Sequence, residues 1–193
     1  ELIPEDRVSV RMRAFVSVDL DGLADAVARV QEPFRRPGLN PVDPEQAHVT
    51  VKFLGDVDDA ELDAVREAVS AAVADADVAP FTVRFGGYGV FPSLDYVSVV
   101  WLGVREGGEQ LTRLHEAVEA RTTALGVEPE RHEFTPHVTL ARMTDARSKA
   151  EVREAVTERD PDAGTLDVTE LRLTESTLTS DGPEYETVER FPL

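Results

Sequence analysis

The chain has 193 residues, of which 41% are apolar, and no cysteine; it can form one large domain or two small lobes but neither a disulfide framework nor a thiolate metal site. It contains no apolar run long enough for a membrane span and no secretory leader, so we expect a cytoplasmic protein without a membrane partner. The net charge of −18 comes without any basic stripe, which excludes a broad nucleic-acid surface and leaves only a grip on a terminus or a single phosphate.

The first half of the chain predicts alternating strands and helices. Residues 1–11 show no clear period, so we expect a tag or upstream extension there and a single domain over residues 12–193. Strands are expected at 13–19, 47–54, 81–88 and 96–103. Helices are expected at 21–35 and after an N-cap at Asp58 or Asp59.

The second half repeats this order. We expect a helix at 107–125, a strand at 133–141, a helix opened by a capping box at Ser148–Glu151, and strands at 166–178 and 184–191. The same succession of elements thus occurs at roughly 12–100 and 96–193, with the strand at 96–103 shared. This repetition indicates an internal duplication, and it predicts an α+β fold with pseudo-twofold symmetry and mainly antiparallel sheets.

Each repeat carries a histidine two residues before a threonine, His48-Val-Thr50 and His137-Val-Thr139, 89 positions apart. Side chains alternate along a strand, so the histidine and the threonine share one face while the valine points the other way. Two such faces brought together would surround one small anion with two imidazoles and two hydroxyls.

This set of side chains fits the cleavage of a phosphate ester. Imidazole has an unperturbed pKa of about 6.5, so one histidine can take a proton from an attacking water while the other protonates the leaving oxygen. Threonine hydroxyls can donate to the non-bridging oxygens, where negative charge accumulates. The scheme needs no metal or cofactor.

Three alternatives accompany this interpretation. A single His-x-Thr strand is more often a half-buried structural histidine, but two copies at equivalent positions of a repeat favour function. His115 lies on an apolar helix face and His132 in a charged segment, so they are expected to be a packing residue and a solvated residue. The motif histidines could ligate zinc, yet no acidic residue accompanies them on the strand face, so no metal site is expected.

The motifs and several flanking segments closely resemble the LigT-like RNA 2′,3′-cyclic phosphodiesterases of the two-histidine (2H) phosphoesterase superfamily. The flanking segments are Met12–Val16, Phe91-Pro92, Val100–Gly103, Glu175–Leu178 and Gly182–Glu186. The resemblance covers residues 12–193. It implies a bilobal fold with flanking helices, in which the two motifs face each other across a central cleft.

The resemblance also implies an activity and a set of site residues. The activity is metal-independent hydrolysis of a 2′,3′-cyclic phosphate, on an RNA end or a nucleotide, to a 2′-phosphomonoester, by a protein that we expect to be a monomer. His48 and His137 would be the acid–base pair and Thr50 and Thr139 the phosphate holders. Which histidine is the base stays open. The alternatives are a 2′–5′ RNA ligase, another cyclic phosphodiesterase, and a module that binds RNA ends without turnover.

Five further residues are candidates for substrate contacts. Phe53 and Arg142 each lie five residues after their histidine, where an aromatic ring and a guanidinium could stack on a terminal base. The alternative is a core phenylalanine and a surface arginine paired with a carboxylate. Lys52 shares the face of His48 by period, and Arg13 and Phe15 on the first strand could line the cleft.

The acid excess is spread along the whole chain, and the only lysines are Lys52 and Lys149 among 20 basic residues. This pattern predicts a halophilic protein, because at 1 M salt the Debye length is about 3 Å and self-repulsion is screened. An acidic protein from an ordinary cytoplasm is the alternative.

Overall fold

The computed structural model describes residues 11–193, so residues 1–10 of the extension predicted at 1–11 lie outside the described part of the chain. The strands are β1 (Arg11–Asp19), β2 (Leu39–Pro41), β3 (His48–Asp58), β4 (Phe81–Pro92), β5 (Val97–Glu106), β6 (His137–Met143), β7 (Asp162–Val168), β8 (Glu170–Thr179) and β9 (Gly182–Pro192). The helices are α1 (Ala24–Gln31), α2 (Asp59–Ala76), α3 (Gly108–Thr123) and α4 (Lys149–Glu158). Arg11 is therefore part of β1, where its side chain pairs with Asp58 at 2.9 Å.

All strands join one nine-stranded antiparallel sheet in the order β7-β4-β5-β6-β3-β1-β8-β9, with β2 beside β6. The sheet consists of two four-strand halves, β6-β5-β4-β7 and β3-β1-β8-β9, which meet where Val49 pairs with Val138. The predicted α+β class is confirmed. Each half combines strands from both parts of the sequence, so the halves of the sheet do not coincide with the ranges 12–100 and 96–193. The duplication itself stays a prediction.

The four helices form a layer on one face of the sheet. Helices α2 and α3 pack on each other and on the half that contains β3 and β9, whereas α1 and α4 contact β6, β7 and β4 of the other half. Buried aliphatic and aromatic side chains fill the space between the helices and the sheet, among them Phe34, Phe85, Leu102, Leu111, Leu114 and Leu173. Within residues 11–193, no helix has the length and apolar character needed to cross a membrane.

Helix boundaries follow local capping and proline chemistry. The predicted N-cap of α2 is confirmed, because Asp58 and Glu61 form a capping box. Helix α4 begins after Ser148 as predicted, but the predicted capping box is wrong: the hydroxyl of Ser148 donates to the carbonyl of Pro37 at 2.7 Å, and the side chain makes no capping hydrogen bond. The helix predicted at 21–35 is shorter: α1 ends at Gln31 and a 3-10 turn, Glu32–Phe34, follows it with a proline near its start.

Two strand predictions also need correction. The strand expected at 133–141 begins only at His137, because Pro136 has no N–H to donate to a sheet ladder. The strand expected at 166–178 is in fact the end of β7 followed by β8, and these two strands lie in opposite halves of the sheet. The alternation of apolar and polar residues along the sequence does not show which neighbouring strand each segment pairs with.

Candidate active site

Both histidine motifs begin the two central strands, at the place where the halves of the sheet meet. Val49 pairs with Val138, and both side chains are completely buried in the core. The residue on either side of each valine points to the opposite face, away from the helices. The motif histidines and threonines therefore share one face of the sheet and are all partly exposed there.

The register of this pair arranges the four side chains as a square. Continuing it by one residue in each direction places His48 across from Thr139 and Thr50 across from His137. The two histidines then occupy one diagonal and the two threonines the other. Diagonal neighbours on an antiparallel pair are generally about 7–8 Å apart, which leaves room for one phosphate between them.

Each histidine is held by a backbone carbonyl two residues before it. Nδ1 of His48 donates to the carbonyl oxygen of Gln46 at 2.9 Å, and Nδ1 of His137 donates to that of Thr135 at 2.6 Å. A carbonyl can only accept, so Nδ1 carries the proton and Nε2 is the reactive nitrogen in both rings. Nε2 of His48 is 3.1 Å from the hydroxyl oxygen of Thr50.

Aromatic rings frame both imidazoles. Phe15 stacks on His48 with ring centroids 4.8 Å apart, and Tyr185 meets the same imidazole edge-on at 5.1 Å. His137 lies 4.9 Å from the ring of Phe91 and 5.7 Å from that of Trp101. These contacts restrict the rotation of the imidazoles and remove water from one side of each.

The surroundings of the two imidazoles differ in charge. Burial lowers the pKa of both histidines from 6.5. The charge of Arg142 adds to this lowering in both rings. The nearby carboxylate of Asp19 opposes it for His48, whereas the charge of His48 adds to it for His137. The register explains the contrast, because Asp19 pairs with His48 while Gly103, which has no side chain, pairs with His137.

A β-bulge follows each motif. On β3, Thr50 pairs with Ser17 and Lys52 with Val16, so Val51 has no partner on β1. On β6, Thr139 pairs with Trp101 and Ala141 with Val100, so Leu140 has no partner on β5. An extra residue moves everything after it to the other face of the strand.

The bulges place Phe53 and Arg142 on the face of the motif histidines, despite an odd spacing from them. The side chain of Phe53 is 58% exposed and its ring is 6.0 Å from that of Phe15, so the alternative of a core phenylalanine is wrong. Arg142 is exposed, and within residues 11–193 its side chain makes no hydrogen bond or ion pair. Burial raises the pKa of Tyr185, and the charge of Arg142 opposes that rise. The same charge lowers the pKa of His137, so the guanidinium influences groups beside both motif strands.

The prediction that Lys52 shares the face of His48 is wrong. The bulge at Val51 turns Lys52 toward α3, where it is 2% exposed. There its Nζ lies 2.7 Å from a carboxylate oxygen of Glu119 and donates to the carbonyl of Glu128 at 2.7 Å. Lys52 is thus a core ion-pair residue, and it does not line the cleft.

Of the two candidates on β1, Phe15 is buried and Arg13 is exposed. Phe15 is 3% exposed, so it supports His48 from beneath rather than offering an open wall. Arg13 is exposed and lies across from Asp56. His115 is buried and His132 is exposed, and both predictions are confirmed. In the described part of the chain, no group of three or more His, Asp or Glu side chains could hold a metal ion.

Sequence reasoning missed four residues of the site: Asp19, Phe91, Trp101 and Tyr185. Trp101 could have been assigned, because alternation along β5 and the register with Thr139 place it on the motif face. Phe91 and Tyr185 lie on strands that do not pair with the motif strands, and the curvature of the sheet brings them to the histidines. No local pattern signals that curvature.

Comparison with known proteins yields one family. A family model described as the 2′-5′ RNA ligase superfamily matches residues 20–178. A Methanothermobacter thermautotrophicus protein named RNA 2′,3′-cyclic phosphodiesterase is 35% identical over 188 residues, which cover 95% of this chain and 100% of the relative. A Methanocaldococcus jannaschii protein of the same name is 30% identical over 182 residues, covering 93% and 100%.

Solved structures show the same fold. A crystal structure of a Thermus thermophilus protein aligns with a TM-score of 0.76 and 29% identity, covering 94% of this chain and 98% of the other. The crystal structure of E. coli LigT in apo form aligns with a TM-score of 0.73 and 25% identity, covering 96% and 99%. The likeness extends over both halves of the sheet.

Proposed function

This chain belongs to the 2′-5′ RNA ligase superfamily, and we propose that it hydrolyses 2′,3′-cyclic phosphates on RNA ends or nucleotides to 2′-phosphomonoesters. The observation that carries the proposal is the square of two histidines and two threonines, in which both reactive Nε2 atoms belong to rings oriented by backbone carbonyls. The relatives named RNA 2′,3′-cyclic phosphodiesterase, which align over more than nine-tenths of the chain, support the same activity.

The square matches the geometry of in-line displacement. With phosphorus at its centre, the attacking water and the leaving oxygen lie on opposite sides, along the diagonal of His48 and His137. The non-bridging oxygens then lie along the other diagonal, where the hydroxyls of Thr50 and Thr139 donate to them as negative charge grows. The histidines would thus face the attacking and leaving oxygens, and the threonines would face the non-bridging oxygens.

We assign His137 as the base and His48 as the acid. His137 takes a proton from water, the new P–O bond forms, the bond to the 3′-oxygen breaks, and that oxygen takes the Nε2 proton of His48. The product is a 2′-phosphate. Asp19 supports the assignment, because a carboxylate across from His48 favours the protonated ring there, whereas Gly103 provides none across from His137.

The base of the terminal nucleotide would lie between Phe53 and Arg142. Both side chains are exposed, both follow a bulge that turns them to the motif face, and neither is held in the core or by an ion pair in the described chain. A ring and a guanidinium plane can sandwich any base, because every base offers two π-faces.

The test is cleavage of adenosine 2′,3′-cyclic phosphate by the purified protein, with and without EDTA, followed by separation of the 2′- and 3′-phosphate products. We expect 2′-AMP at a rate that EDTA does not change. His48→Ala and His137→Ala should each lose at least about 100-fold in rate. His132→Ala is the matched control and should keep full activity, because His132 is an exposed histidine outside the square.

Three results would contradict the proposal. Tight binding of the cyclic nucleotide without turnover would indicate a module that recognises RNA ends. Loss of turnover in EDTA, with activity retained in both alanine variants, would indicate a metal enzyme. A 3′-phosphate product would reverse the assignment of the leaving oxygen.

A further inference from the structure

Each bulge carbonyl is bonded by a buried polar side chain from a helix. Nδ1 of His115 on α3 donates to the carbonyl of Val51 at 2.7 Å, and Nε2 of Gln31 on α1 donates to the carbonyl of Leu140 at 2.9 Å. His115 is 7% exposed and Gln31 is completely buried. The two bulges therefore have the same kind of support, and neither donor belongs to the catalytic square.

Neither of these helices bonds the bulge of the motif strand that follows it next in the sequence, and each bonds that of the other motif strand. Helix α3 leads into β6, yet its His115 bonds the bulge of β3, and α1 leads toward β3, yet its Gln31 bonds the bulge of β6. Gln31 also donates to the carbonyl of Val42 at 2.8 Å, in the segment before His48. The ring of His115 stacks parallel to that of Phe134, with centroids 4.2 Å apart, and Phe134 lies in the segment before His137.

We propose that His115 and Gln31 are positioning residues for substrate recognition, which hold the bulges that present Phe53 and Arg142 to the nucleotide. A buried carbonyl without a donor is costly, so an unpaired bulge residue needs a partner from outside the ladder. Removal of that partner favours a strand without the bulge, and the residues after it then turn away from the cleft. This inference rests on the proposed function, because it assigns a role to base contacts.

The position of the bulges predicts which kinetic constant changes. His48 and Thr50 precede the bulge of β3, and His137 and Thr139 precede that of β6, so the square does not depend on either bulge. Loss of a bulge should therefore weaken nucleotide binding and raise KM, whereas kcat should change little through this route. A general loss of structure would instead lower the fraction of active enzyme and reduce kcat.

The test begins with His115→Leu, assayed with adenosine 2′,3′-cyclic phosphate. We expect KM to rise at least about fivefold, approaching the roughly 10-fold rise expected for Phe53→Ala from the loss of one stacked ring. Thr122→Val is the matched control on the same helix, because Thr122 is completely buried but its hydroxyl bonds only carbonyls of its own helix, that of Val118 at 2.7 Å and that of Glu119 at 3.5 Å. Its KM should stay within about twofold of wild type.

Two further variants separate the contacts of His115. Phe134→Leu removes the stacking partner and keeps the bond to Val51, so it should leave KM unchanged, whatever it does to kcat. His115→Gln keeps an N–H donor, as Gln31 does in the other half, so it should keep KM within about twofold. It also keeps the idea testable if His115→Leu does not fold.

A double-mutant cycle gives the decisive result. If His115 acts through Phe53, then His115→Leu should raise KM no further in a Phe53→Ala background but should add its full effect in an Arg142→Ala background. Gln31→Leu should show the reverse pattern, with a smaller single effect, because the carbonyl of Leu140 also accepts from the N–H of Val42 at 3.0 Å.

The outcomes distinguish this inference from the proposed function. A wild-type protein that does not cleave the cyclic nucleotide defeats the function itself. If wild type cleaves and Phe53→Ala raises KM, while His115→Leu and Gln31→Leu leave KM unchanged, then the positioning role is wrong. Equal coupling of His115 to Phe53 and to Arg142 would also overturn it, since the bonds to separate bulges predict selective coupling.

Discussion

Replacing Lys52 by methionine should destabilise the fold and leave the chemistry intact. The ammonium group is buried, with Glu119 and the carbonyl of Glu128 each 2.7 Å away. Hydrogen bonds of charged groups contribute about 1.5–3 kcal/mol each. Methionine fills most of the volume, and Glu119 is partly exposed and keeps the N–H of Glu130 as a donor at 2.7 Å. We therefore expect a loss of about 2–4 kcal/mol, at or below the roughly 3–5 kcal/mol typical of breaking a fully buried pair.

The free energy of unfolding can be followed by the fluorescence of Trp101, the single tryptophan, in urea at constant molar KCl. In a chain of this length the expected loss corresponds to a fall in Tm of roughly 5–15 °C. KM and kcat should stay near wild type below the unfolding transition. The control is Arg121→Met on α3, the helix that carries Glu119. The ion pair of Arg121 with Asp75 is about half exposed and screened by solvent, so its loss should change stability much less.

The opposite pattern would refute this reasoning. If Lys52→Met unfolds like wild type within about 0.5 kcal/mol but raises KM severalfold, then Lys52 faces the substrate and the bulge at Val51 does not turn it to the core. An equal loss in Arg121→Met would show that burial is not the cause.

Three further predictions concern pH and salt. The pH profile of kcat/KM should be centred below pH 6.5, since burial lowers the pKa of both His48 and His137; a maximum above pH 7.5 would contradict this. Asp19→Asn should shift only the alkaline limb, to lower pH, because it removes the carboxylate that favours protonated His48. Asp21→Asn is the control and should shift neither limb, because Asp21 pairs with the same Arg172 as Asp19 but does not act on His48. A shift of the acidic limb in Asp19→Asn would exchange the two roles. The unfolding temperature should rise from dilute buffer to molar KCl if the net charge of −18 reflects halophily, and equal values would rule that out.

Much of the fold was predictable because side-chain periodicity reflects burial. The α2 helix with its Asp58 cap, the motif strands and the α+β class all follow from patterns within a dozen residues. The partners of the strands do not, since β7 and β8 are adjacent in sequence but lie in opposite halves of the sheet. Strand pairing depends on contacts between distant residues, and a single sequence carries little record of them.

The site shows the same division at the scale of single residues. The square was predictable, because His and Thr two apart on a strand must share a face. The position of Lys52 was not, because one unpaired residue at Val51 reverses the alternation that placed it. Nor was the role of Gln31, whose amide meets the carbonyls of Val42 and Leu140 only in the folded chain.

The two halves of the site are alike where the chemistry is symmetric and differ where it is not. An in-line displacement needs a proton carrier on each side of phosphorus, and in the proposed mechanism His48 and His137 supply it. The reaction nevertheless has a direction, because water enters on one side and a ribose oxygen leaves on the other. A fully symmetric square would bind the substrate equally well in both orientations, and only one is productive. In the proposed mechanism, Asp19 beside His48 and Gly103 beside His137 break that symmetry in proton affinity, and Phe53 and Arg142 break it in contacts to the nucleotide. We therefore propose that these differences between the two motif strands give the reaction its direction.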